Sequence, residues 1–549
     1  MQAIFPLTIS AVFLAPVSAH GQVILDRADP TINQRSLPKA VLPPSNAPVL
    51  PSLPEAPNVV VAKSGTVLPA AIVILGAPDI SPAAFSDVIV SYVGRHLTRA
   101  ELSQLASDVS KVAHRRGYPF AMATIASQPM DNGVLEVTLD EGRIDAVRVV
   151  GASNPAADRI LSATLANGKP TRKEDLERAI LLVGDLPGVT VTGSQFIQQD
   201  GFNILLVTIE QSKASAYLQV DNRGSPEIGP IRSTLLASLH GVATSGDEIG
   251  LLVAQTPIDP REFVFVRGRY SALVDSKGSV LALSGSYGRS RPGASLRSLN
   301  VVGKSVDAAL SYSRALRRSL AQNYSLNIEL RTLRTQQNLS GRRLRDDRLA
   351  SIAASLEAVN RLGSGRLRSQ LLLTGGLPLP GVSHEGDPML SRVDGDARYL
   401  TASYAVEWTG GILDNVSLAL ASTGQVASRP LLATAEIGAG GPGFGRAYDY
   451  AERSGDQGVL GLVELRLDGR KLVPGILDSL QIFSSIDGGY VSNLDHGAGG
   501  GSLVSSSIGA RLARGKLNGQ VEVSLPLNAD RFDTRNRNPR IALRMARSF

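Results

Sequence analysis

The chain of 549 residues contains no cysteine. This absence excludes disulfide bonds, thiolate metal sites and cysteine nucleophiles. Beyond its first residues, the sequence also lacks a run of the roughly 18 apolar residues that a membrane-spanning helix requires. If the protein crosses a membrane, it must therefore do so as a closed β-barrel, because backbone polar groups need partners within the lipid.

Motifs for catalysis and cofactor binding are lacking as well. The six histidines have no metal-ligand spacing, and neither a Gly-x-Ser-x-Gly elbow nor a phosphate-binding loop is present. Gly438, Gly440 and Gly443 match a dinucleotide fingerprint by letter, but Pro442 interrupts it and no βαβ unit surrounds it. The net charge of +7 is dispersed, without the aromatic partners that nucleic acids favour. We expect no enzyme, cofactor, metal site or nucleic-acid partner.

Two segments precede the first predicted folded unit. Residues 1–19 resemble a secretory signal, with an apolar run and a final Val-Ser-Ala, although no Lys or Arg lies near Met1. A buried N-terminal segment is the alternative. Residues 20–64 are proline-rich, which is typical of an extended, semi-rigid linker. Within them, residues 26–36 are too short to predict a stable helix.

From residue 65 to residue 212, short strands and helices follow in the order β-α-α-β-β, and this order occurs twice. The units are predicted at 65–142 and 143–212. Thr98 with Glu101 predicts a capping box in the first unit, and Thr171 with Glu174 predicts one in the second. Each unit is too small for its own catalytic cleft.

Each of these units is expected to leave one sheet edge open for a guest strand. In the first unit the candidate edge holds Phe120, Met122 and Thr124. A core strand without a guest is the alternative interpretation of the same residues.

From residue 213 to residue 549, helical periodicity is gone. Runs of about ten residues alternate in polarity, separated by Gly, Asp, Asn and Ser turns, and the chain ends on Phe549. A soluble sandwich also alternates, but so long a stretch without a second architecture favours an all-β transmembrane barrel of 16 antiparallel strands. The strands are predicted to begin near residues 214, 230, 246, 261, 278, 304, 320, 346, 367, 397, 414, 456, 479, 502, 517 and 540.

The stretch Ile437 to Tyr450 interrupts the strand pattern with five glycines and a single arginine, Arg446. Glycine lets backbone pass where side chains do not fit, so we expect this segment to fold back inside the barrel. Asp487 shares the polar face of its strand with Gln481 and Ser485, which makes it the candidate for a bidentate pair with Arg446. The alternatives are a surface-loop arginine and an ordinary polar lumen residue.

Four further arginines lie on predicted barrel strands and have two open interpretations. They either line a conduit or lie at solvated loop ends. They are Arg314, Arg317, Arg331 and Arg334.

Several motifs together resemble the two-partner secretion transporters of the outer membrane, the TpsB or haemolysin secretion/activation family of ShlB/FhaC/HecB type. The motifs are LTRAELSQLA, GYPFAMATIASQ and GVLEVTLDEGRI in the first unit, DLPGVTV in the second, Asp221-Asn-Arg-Gly224 at the start of the barrel, GFGRAYD in the glycine-rich stretch and Asp487-Gly-Gly489. The resemblance covers residues 67 to 549.

The resemblance implies that both units are POTRA domains in the periplasm of a Gram-negative cell and that the barrel lies in the outer membrane. They would capture an unfolded secreted partner, a TpsA-like adhesin or haemolysin, and export it without ATP. The lipid bilayer with its lipopolysaccharide would be a second partner. Many members also carry an N-terminal helix that plugs the barrel; whether this chain has one stays open.

The resemblance also implies roles for particular residues. The outer-membrane assembly machinery would read the terminal Phe549. A lumen-loop lock would hold the glycine-rich stretch, formed by Phe444, Gly445, Arg446, Tyr448, Asp487 and Gly489. The runner-up function is an outer-membrane barrel-assembly or insertion factor, although such factors usually carry more POTRA repeats; a passive porin is more distant.

Overall fold

The computed structural model describes residues 25–26, 28–35, 37, 66–130, 132–495 and 497–549. The predicted signal segment, residues 1–19, and most of the predicted linker, residues 20–64, lie outside these parts. Within the linker a five-residue helix, α1 (Pro30–Gln34), is described. The described residues contain no helix with the length and hydrophobicity of a transmembrane segment.

The first unit packs a three-stranded sheet against helices. Its elements are β1 (Ala71–Leu75), a 3-10 turn (Pro82–Phe85), α2 (Ser86–Val90), α3 (Arg99–Arg115), β2 (Met122–Thr124) and β3 (Val134–Asp140). The central strand β3 pairs in parallel with β1 and antiparallel with β2. The capping box predicted at α3 is confirmed, since Thr98 and Glu101 each accept the other's backbone N–H.

The second unit repeats this order. Its elements are β4 (Ala146–Gly151), α4 (Pro155–Leu165), α5 (Lys173–Gly184), β5 (Val189–Gln199) and β6 (Phe202–Gln211). Strand β6 is central, parallel to β4 and antiparallel to β5. The capping box predicted at Thr171 is wrong. The buried Thr171 hydroxyl accepts instead from the N–H of Ile144, and α5 begins two residues later without a side-chain cap.

Sixteen strands form a closed antiparallel barrel, which confirms the predicted fold class and strand number. They are β7 (Ala214–Asp221), β8 (Arg232–His240), β9 (Asp247–Gln255), β10 (Phe263–Leu273), β11 (Val280–Ser290), β12 (Val301–Arg318), β13 (Gln322–Leu339), β14 (Arg342–Leu362), β15 (Gly365–Gly376), β16 (Leu400–Leu413), β17 (Val416–Ala427), β20 (Gln457–Asp468), β21 (Ser479–Ser492), β22 (Gly501–Arg514), β23 (Leu517–Pro526) and β24 (Arg540–Ser548). Strand β24 pairs with β7 and closes the cylinder. Two short strands, β18 (Ile437–Ala439) and β19 (Arg453–Gly455), and 3-10 turns at Ala294–Leu299 and Arg470–Leu472 lie in the connections.

The barrel wall has an apolar outside and a polar inside. On β24, Ile541, Leu543 and Met545 are exposed, whereas the residues between them face inward and are buried or half-buried. The same alternation on the other strands gives an outward apolar surface suited to lipid.

The second unit contacts the turns at one end of the barrel. On α5, Arg178 donates to the carbonyl oxygens of Lys277 and Ala315 at 3.1 and 2.9 Å. Arg318, the last residue of β12, makes a two-point contact with Asp185 at 2.7 Å. This end is therefore the one next to the folded units, and the turn-forming loops at the opposite end include the glycine-rich stretch.

Candidate functional site

The glycine-rich loop, residues 437–450, starts as a two-stranded ribbon. Strands β18 and β19 pair antiparallel, with Ile437 opposite Gly455. Beyond them the backbone turns back on itself, and the N–H of Gly440 donates to the carbonyl of Phe444 at 2.9 Å. Gly445 has a φ of 81°, in the left-handed region that a side chain disfavours. Glycine at this position places the N–H groups of residues 445 and 446 against the wall.

The loop lies inside the barrel. Its contacts are with Glu464 on β20, Asp487 on β21 and Glu522 on β23, all buried. Their neighbours along each strand, such as Leu465 and Ile486, are exposed on the outer surface. Because side chains of a strand alternate between the two faces, the three carboxylates point into the lumen.

Arg446 is buried among these three carboxylates. Its Nη1 donates to Oε2 of Glu464 at 2.8 Å and to the hydroxyl of Ser485 at 3.2 Å, and it lies 3.6 Å from a Glu522 oxygen. Its guanidinium carbon lies 5.7 Å from the centre of the Phe483 ring. The arginine therefore occupies a carboxylate cage, which we define as Glu464, Asp487 and Glu522, and not a single pair.

Asp487 contacts the loop mainly through backbone N–H groups and less through the guanidinium group of Arg446. Its Oδ1 accepts the N–H of Gly445 at 2.8 Å, the N–H of Arg446 at 3.1 Å and the hydroxyl of Ser505. Its Oδ2 approaches Nε of Arg446 at 3.3 Å without hydrogen-bond geometry. The structure brings the two predicted residues together, but the expected bidentate pair between them is wrong.

Glu464 is the member of the cage that the sequence interpretation missed. It also accepts from Arg466 at 2.6 Å and from Arg511 at 2.8 Å, so three guanidinium groups share one carboxylate. Glu522 is paired in turn with Arg223 at 2.8 Å. The sequence does contain a pattern that indicates both glutamates. Each lies between outward apolar residues on its strand, and this alternation predicts charged groups inside the barrel.

The remaining residues of the predicted lock pack around this cage. Tyr448 is fully buried, and its hydroxyl donates to the carbonyl of Ala529 at 3.1 Å. Phe444 is half-buried and packs against an apolar cluster that includes Tyr448 and Leu460. A Cβ at Gly489 would lie 2.2 Å from the carbonyl oxygen of Val459, so the neighbouring strands approach closely beside Asp487.

A second buried ion pair joins three loops at the same end of the barrel. Arg392, between β15 and β16, donates to Asp456 at 2.6 Å. Asp456 also accepts the N–H groups of Leu431 and Leu494, each at 2.7 Å. This pair fixes the root of the glycine-rich loop, and no motif in the sequence indicated it.

The segment around α1 lies in the lumen against the wall and the loop. Asp29 caps α1 by accepting the N–H of Thr31 at 2.7 Å, and Asp26 forms an ion pair with the inward Arg345. Arg35 donates to the carbonyl oxygen of Glu436 at 2.9 Å and to that of Thr434. In the described part of this segment, a helix of five residues therefore lies inside the barrel.

Glu436 is buried where this segment meets the loop. Burial, and next the negative charge of Asp26, raise the pKa of Glu436 to about 8. Asp456 adds to the rise, while Ser454 and Arg392 oppose it. Burial likewise raises the pKa of Asp26, although Arg345 opposes this.

The predicted guest-strand edge is only partly available. Phe120 is buried in the core of the second unit, stacked on Phe196 at 4.4 Å between ring centres, so its placement on an open edge is wrong. Met122 and Thr124 lie on β2, an edge strand, but the outward N–H of Ala123 is already bonded to Ser110 at 2.8 Å. A role for this edge in binding stays a prediction.

Three other predicted residues have clear positions. Phe549 is exposed beside the barrel seam, where its N–H donates to the carbonyl of Ala216 at 2.9 Å. Arg331 faces inward and pairs with Asp307, whereas Arg334 faces outward on the same strand. Among the described residues, no group of three or more His, Asp or Glu is arranged to hold a metal ion.

A closed barrel with a loop anchored in its lumen, preceded by two small α/β units, defines a class of outer-membrane transport protein. The family model described as Haemolysin secretion/activation protein ShlB/FhaC/HecB matches residues 201–512, and the model described as POTRA domain, ShlB-type matches residues 69–142. The chain belongs to this family of two-partner secretion transporters. Its barrel lies in the outer membrane, with the POTRA region in the periplasm.

Known relatives are similar over different lengths. The heme/hemopexin transporter protein HuxB of Haemophilus influenzae (strain 86-028NP) is 26% identical over 225 residues, 40% of this chain and 39% of HuxB. The match thus spans about two fifths of that relative. The outer membrane transporter CdiB of Dickeya dadantii (strain 3937) is 23% identical over 467 residues, 80% of this chain and 78% of CdiB.

Two solved structures share the fold. CdiB from Escherichia coli superposes with a TM-score of 0.72 at 18% identity, over 98% of this chain and all of that one. BamA from Haemophilus ducreyi lacking POTRA domains 1–3 gives a TM-score of 0.53 at 11% identity, over 88% of this chain and all of that one. At such identities the likeness concerns the fold alone.

Proposed function

We propose that the chain captures one or a few unfolded secreted proteins with residues 65–142 and 143–212 and exports them through the barrel of residues 213–549. The supporting observation is the glycine-rich loop, anchored inside a closed barrel whose other end contacts the second unit. Export uses no ATP, and the chain has no catalytic role. The partner is an adhesin-like or haemolysin-like exoprotein that crosses in extended form.

Capture begins in the first unit by strand addition. Met122 and Thr124 on β2 offer one edge, whereas β1 offers a second edge with exposed Val73 and Leu75. An extended apolar segment of the client fits an edge of this kind, because main-chain hydrogen bonds supply affinity and side chains supply selectivity.

The client polypeptide passes through the lumen of the barrel. The glycine-rich loop, anchored at the carboxylate cage, limits the space that is open to it. The loop and the α1 segment fill part of the lumen, and both contact residues on the inner wall. Passage of a polypeptide therefore requires these elements to shift while the wall stays closed. Phe549, at the barrel seam, serves in recognition by the assembly machinery that inserts the barrel.

Reconstitution in liposomes tests the proposal. Proteoliposomes that contain the full chain, without nucleotide, receive a urea-unfolded adhesin-like or haemolysin-like exoprotein of the same bacterium. Protease protection of that exoprotein inside the vesicles supports export. Loss of this protection in Leu75→Asp indicates capture at the β1 edge, and loss in Thr124→Asp indicates capture at the β2 edge. No protection with assembled wild-type transporter contradicts export.

Barrel assembly is the second candidate function, favoured by the fold shared with BamA. The same liposomes then receive an unfolded outer-membrane barrel protein in place of the exoprotein. Faster insertion of that protein than in empty liposomes supports the assembly factor, and insertion at the same rate contradicts it.

A further inference from the structure

A cluster of cations lies on the outer wall of β11 to β14, at the end of the barrel that is distant from the folded units. We define this basic patch as Arg289, Lys304, Arg334, Arg343 and Arg348. Each residue is exposed, and a single carboxylate, Asp346, lies among them. Asp346 contacts Arg334 at 2.7 Å, Arg343 at 3.2 Å and Arg348 at 3.3 Å.

The patch faces outward, away from the lumen. On β13 and β14 the alternate residues Thr335, Gln337, Arg345 and Asp347 are buried and point inward, where Arg345 pairs with Asp26. Arg334 and Arg348 lie between them on the opposite face, with side chains 47% and 49% exposed. The patch therefore belongs to the surface that meets the surroundings of the barrel and not to the transport route.

Directly toward the membrane centre, the same strands carry apolar residues. Tyr287 lies two residues before Arg289, Val306 lies two residues after Lys304, and both are exposed. Leu330 lies four residues before Arg334. At about 3.3 Å per strand residue, the cations lie some 7 to 13 Å beyond the apolar belt, which is the level of lipid head groups.

The positive charge of the patch is only partly compensated within the described chain. Arg289 is the cross-strand partner of Lys304, and Arg334 is the cross-strand partner of Arg348. Like charges in directly opposite positions destabilise a sheet. Arg289 and Lys304 form no ion pair with any residue that the structure describes, so one carboxylate compensates only part of the patch.

Other strands are apolar on their outer face at this end of the barrel, although the exposed Arg398 and Arg429 lie in the loops next to β16 and β17. Strands β20, β21 and β23 reach the same end of the barrel and present Val459, Tyr490 and Leu525 outward. A general preference for positive charge at this rim would not leave these strands apolar.

We propose that the basic patch binds the phosphate groups of a lipopolysaccharide-type glycolipid in the outer leaflet. Arg forms two-point hydrogen bonds with phosphate, and a pair of phosphates on one lipid headgroup can bridge Lys304, Arg334 and Arg348. The acyl chains of that lipid then lie on the apolar residues directly below. The bound glycolipid relieves the cross-strand repulsion and fixes this side of the barrel in the outer leaflet.

The test uses the full chain, delipidated in mild detergent, with three probes: bis-phosphorylated lipid A, the same glycolipid without phosphates, and inorganic phosphate. The variant Lys304→Gln/Arg334→Gln/Arg348→Gln should bind lipid A at least about tenfold more weakly, because it loses three charge-assisted contacts with phosphate. The glycolipid without phosphates should bind wild type as weakly. Higher salt should weaken lipid A binding.

The matched control removes three arginines that are exposed on the lumenal face of β14 and β15, Arg361→Gln/Arg366→Gln/Arg368→Gln. It should bind lipid A within about twofold of wild type. Asp346→Asn, which removes the competing carboxylate, should bind more tightly. Because Asp346→Asn is expected to raise the affinity for lipid A, it still tests the proposal if the triple variant does not assemble.

Three results would overturn the proposal. The first is lipid A binding by an assembled triple variant that equals wild type or equals the lumenal control. The second is weaker binding by Asp346→Asn. The third is displacement of lipid A by inorganic phosphate at an equal concentration, which would mean that the patch takes a free anion and not a lipid.

Discussion

Arg446 on the glycine-rich loop donates through Nη1 to Oε2 of Glu464 on β20 at 2.8 Å, with both side chains buried. Glu464 simultaneously accepts from Arg466 and Arg511, which belong to the wall. The loop cation therefore joins an ion network that the wall has already organised. Such a network favours one loop position strongly, because a shifted arginine would leave buried charges without partners.

Replacement of Arg446 by alanine should abolish export while the barrel still assembles. Removal of one member of a buried ion network costs about 3–5 kcal/mol, and the wall strands do not depend on the loop for their own pairing. Arg446→Lys keeps the charge but loses the planar fork and should export at an intermediate level. Secretion of the partner exoprotein and heat-modifiable migration of the barrel measure the two effects. Arg470→Ala, an exposed arginine in a turn at the end next to the folded units, should export normally.

Asp487→Asn should be tolerated better than Asp487→Ala. The asparagine oxygen can still accept the N–H groups of Gly445 and Arg446, which alanine leaves unpaired, at about 1–3 kcal/mol for each buried donor. Secretion of the exoprotein measures this order. Equal loss in both variants would show that the charge of Asp487 matters more than its backbone contacts.

Exchange of the two charges, Arg446→Asp with Asp487→Arg, should not restore export. A simple two-residue pair would predict partial rescue. In the cage, however, a carboxylate at position 446 would face Glu464 and Glu522, now at 2.8 and 3.6 Å from the Arg446 nitrogen. Export by the double variant above either single variant would contradict a three-carboxylate cage.

Raising the pH from about 6 to about 9 should loosen the contact between the α1 segment and the loop. The pKa of Glu436 is raised from its ordinary value of 4.5 to about 8 in the folded state, so the neutral form stabilises the contact. That stabilisation is complete below about 4.5 and is lost as the pH rises through about 8, where the buried group must ionise near Asp26. Open probability in planar bilayers should rise over this range.

The control for this pH effect is Glu436→Gln, which cannot ionise. Its open probability should stay nearly constant between the two pH values. If it retains the full pH dependence of wild type, another group is responsible.

The strand pattern of the barrel was predictable because it depends on local sequence. Turn residues and a period of two fixed the strand starts at residues 214, 479, 517 and 540 to the residue, and the number of strands was right. The alternation also placed Asp487 in the lumen. The capping box at Thr98 followed from local spacing in the same way.

Contacts between distant parts of the chain were not predictable in this way. The sharing of Glu464 by three arginines depends on the register of β17 to β23, and the pair of Arg392 with Asp456 joins loops 64 residues apart. Local spacing predicts Thr171 as a helix cap, but its hydroxyl accepts the N–H of Ile144, 27 residues earlier. Phe120 looked like an edge residue, but the packing of the two units buries it.

Cysteine labelling tests the position and anchoring of the loop most directly, because the chain has no cysteine of its own. Ala447 is fully buried beside Arg446, whereas Gly443 in the same loop is exposed and has open space around it. With a membrane-impermeant maleimide on whole cells, Ala447→Cys should react far more slowly than Gly443→Cys. Adding Arg446→Ala should make both sites react at similar rates. Equal labelling of the two sites with Arg446 intact would contradict a loop anchored in the lumen.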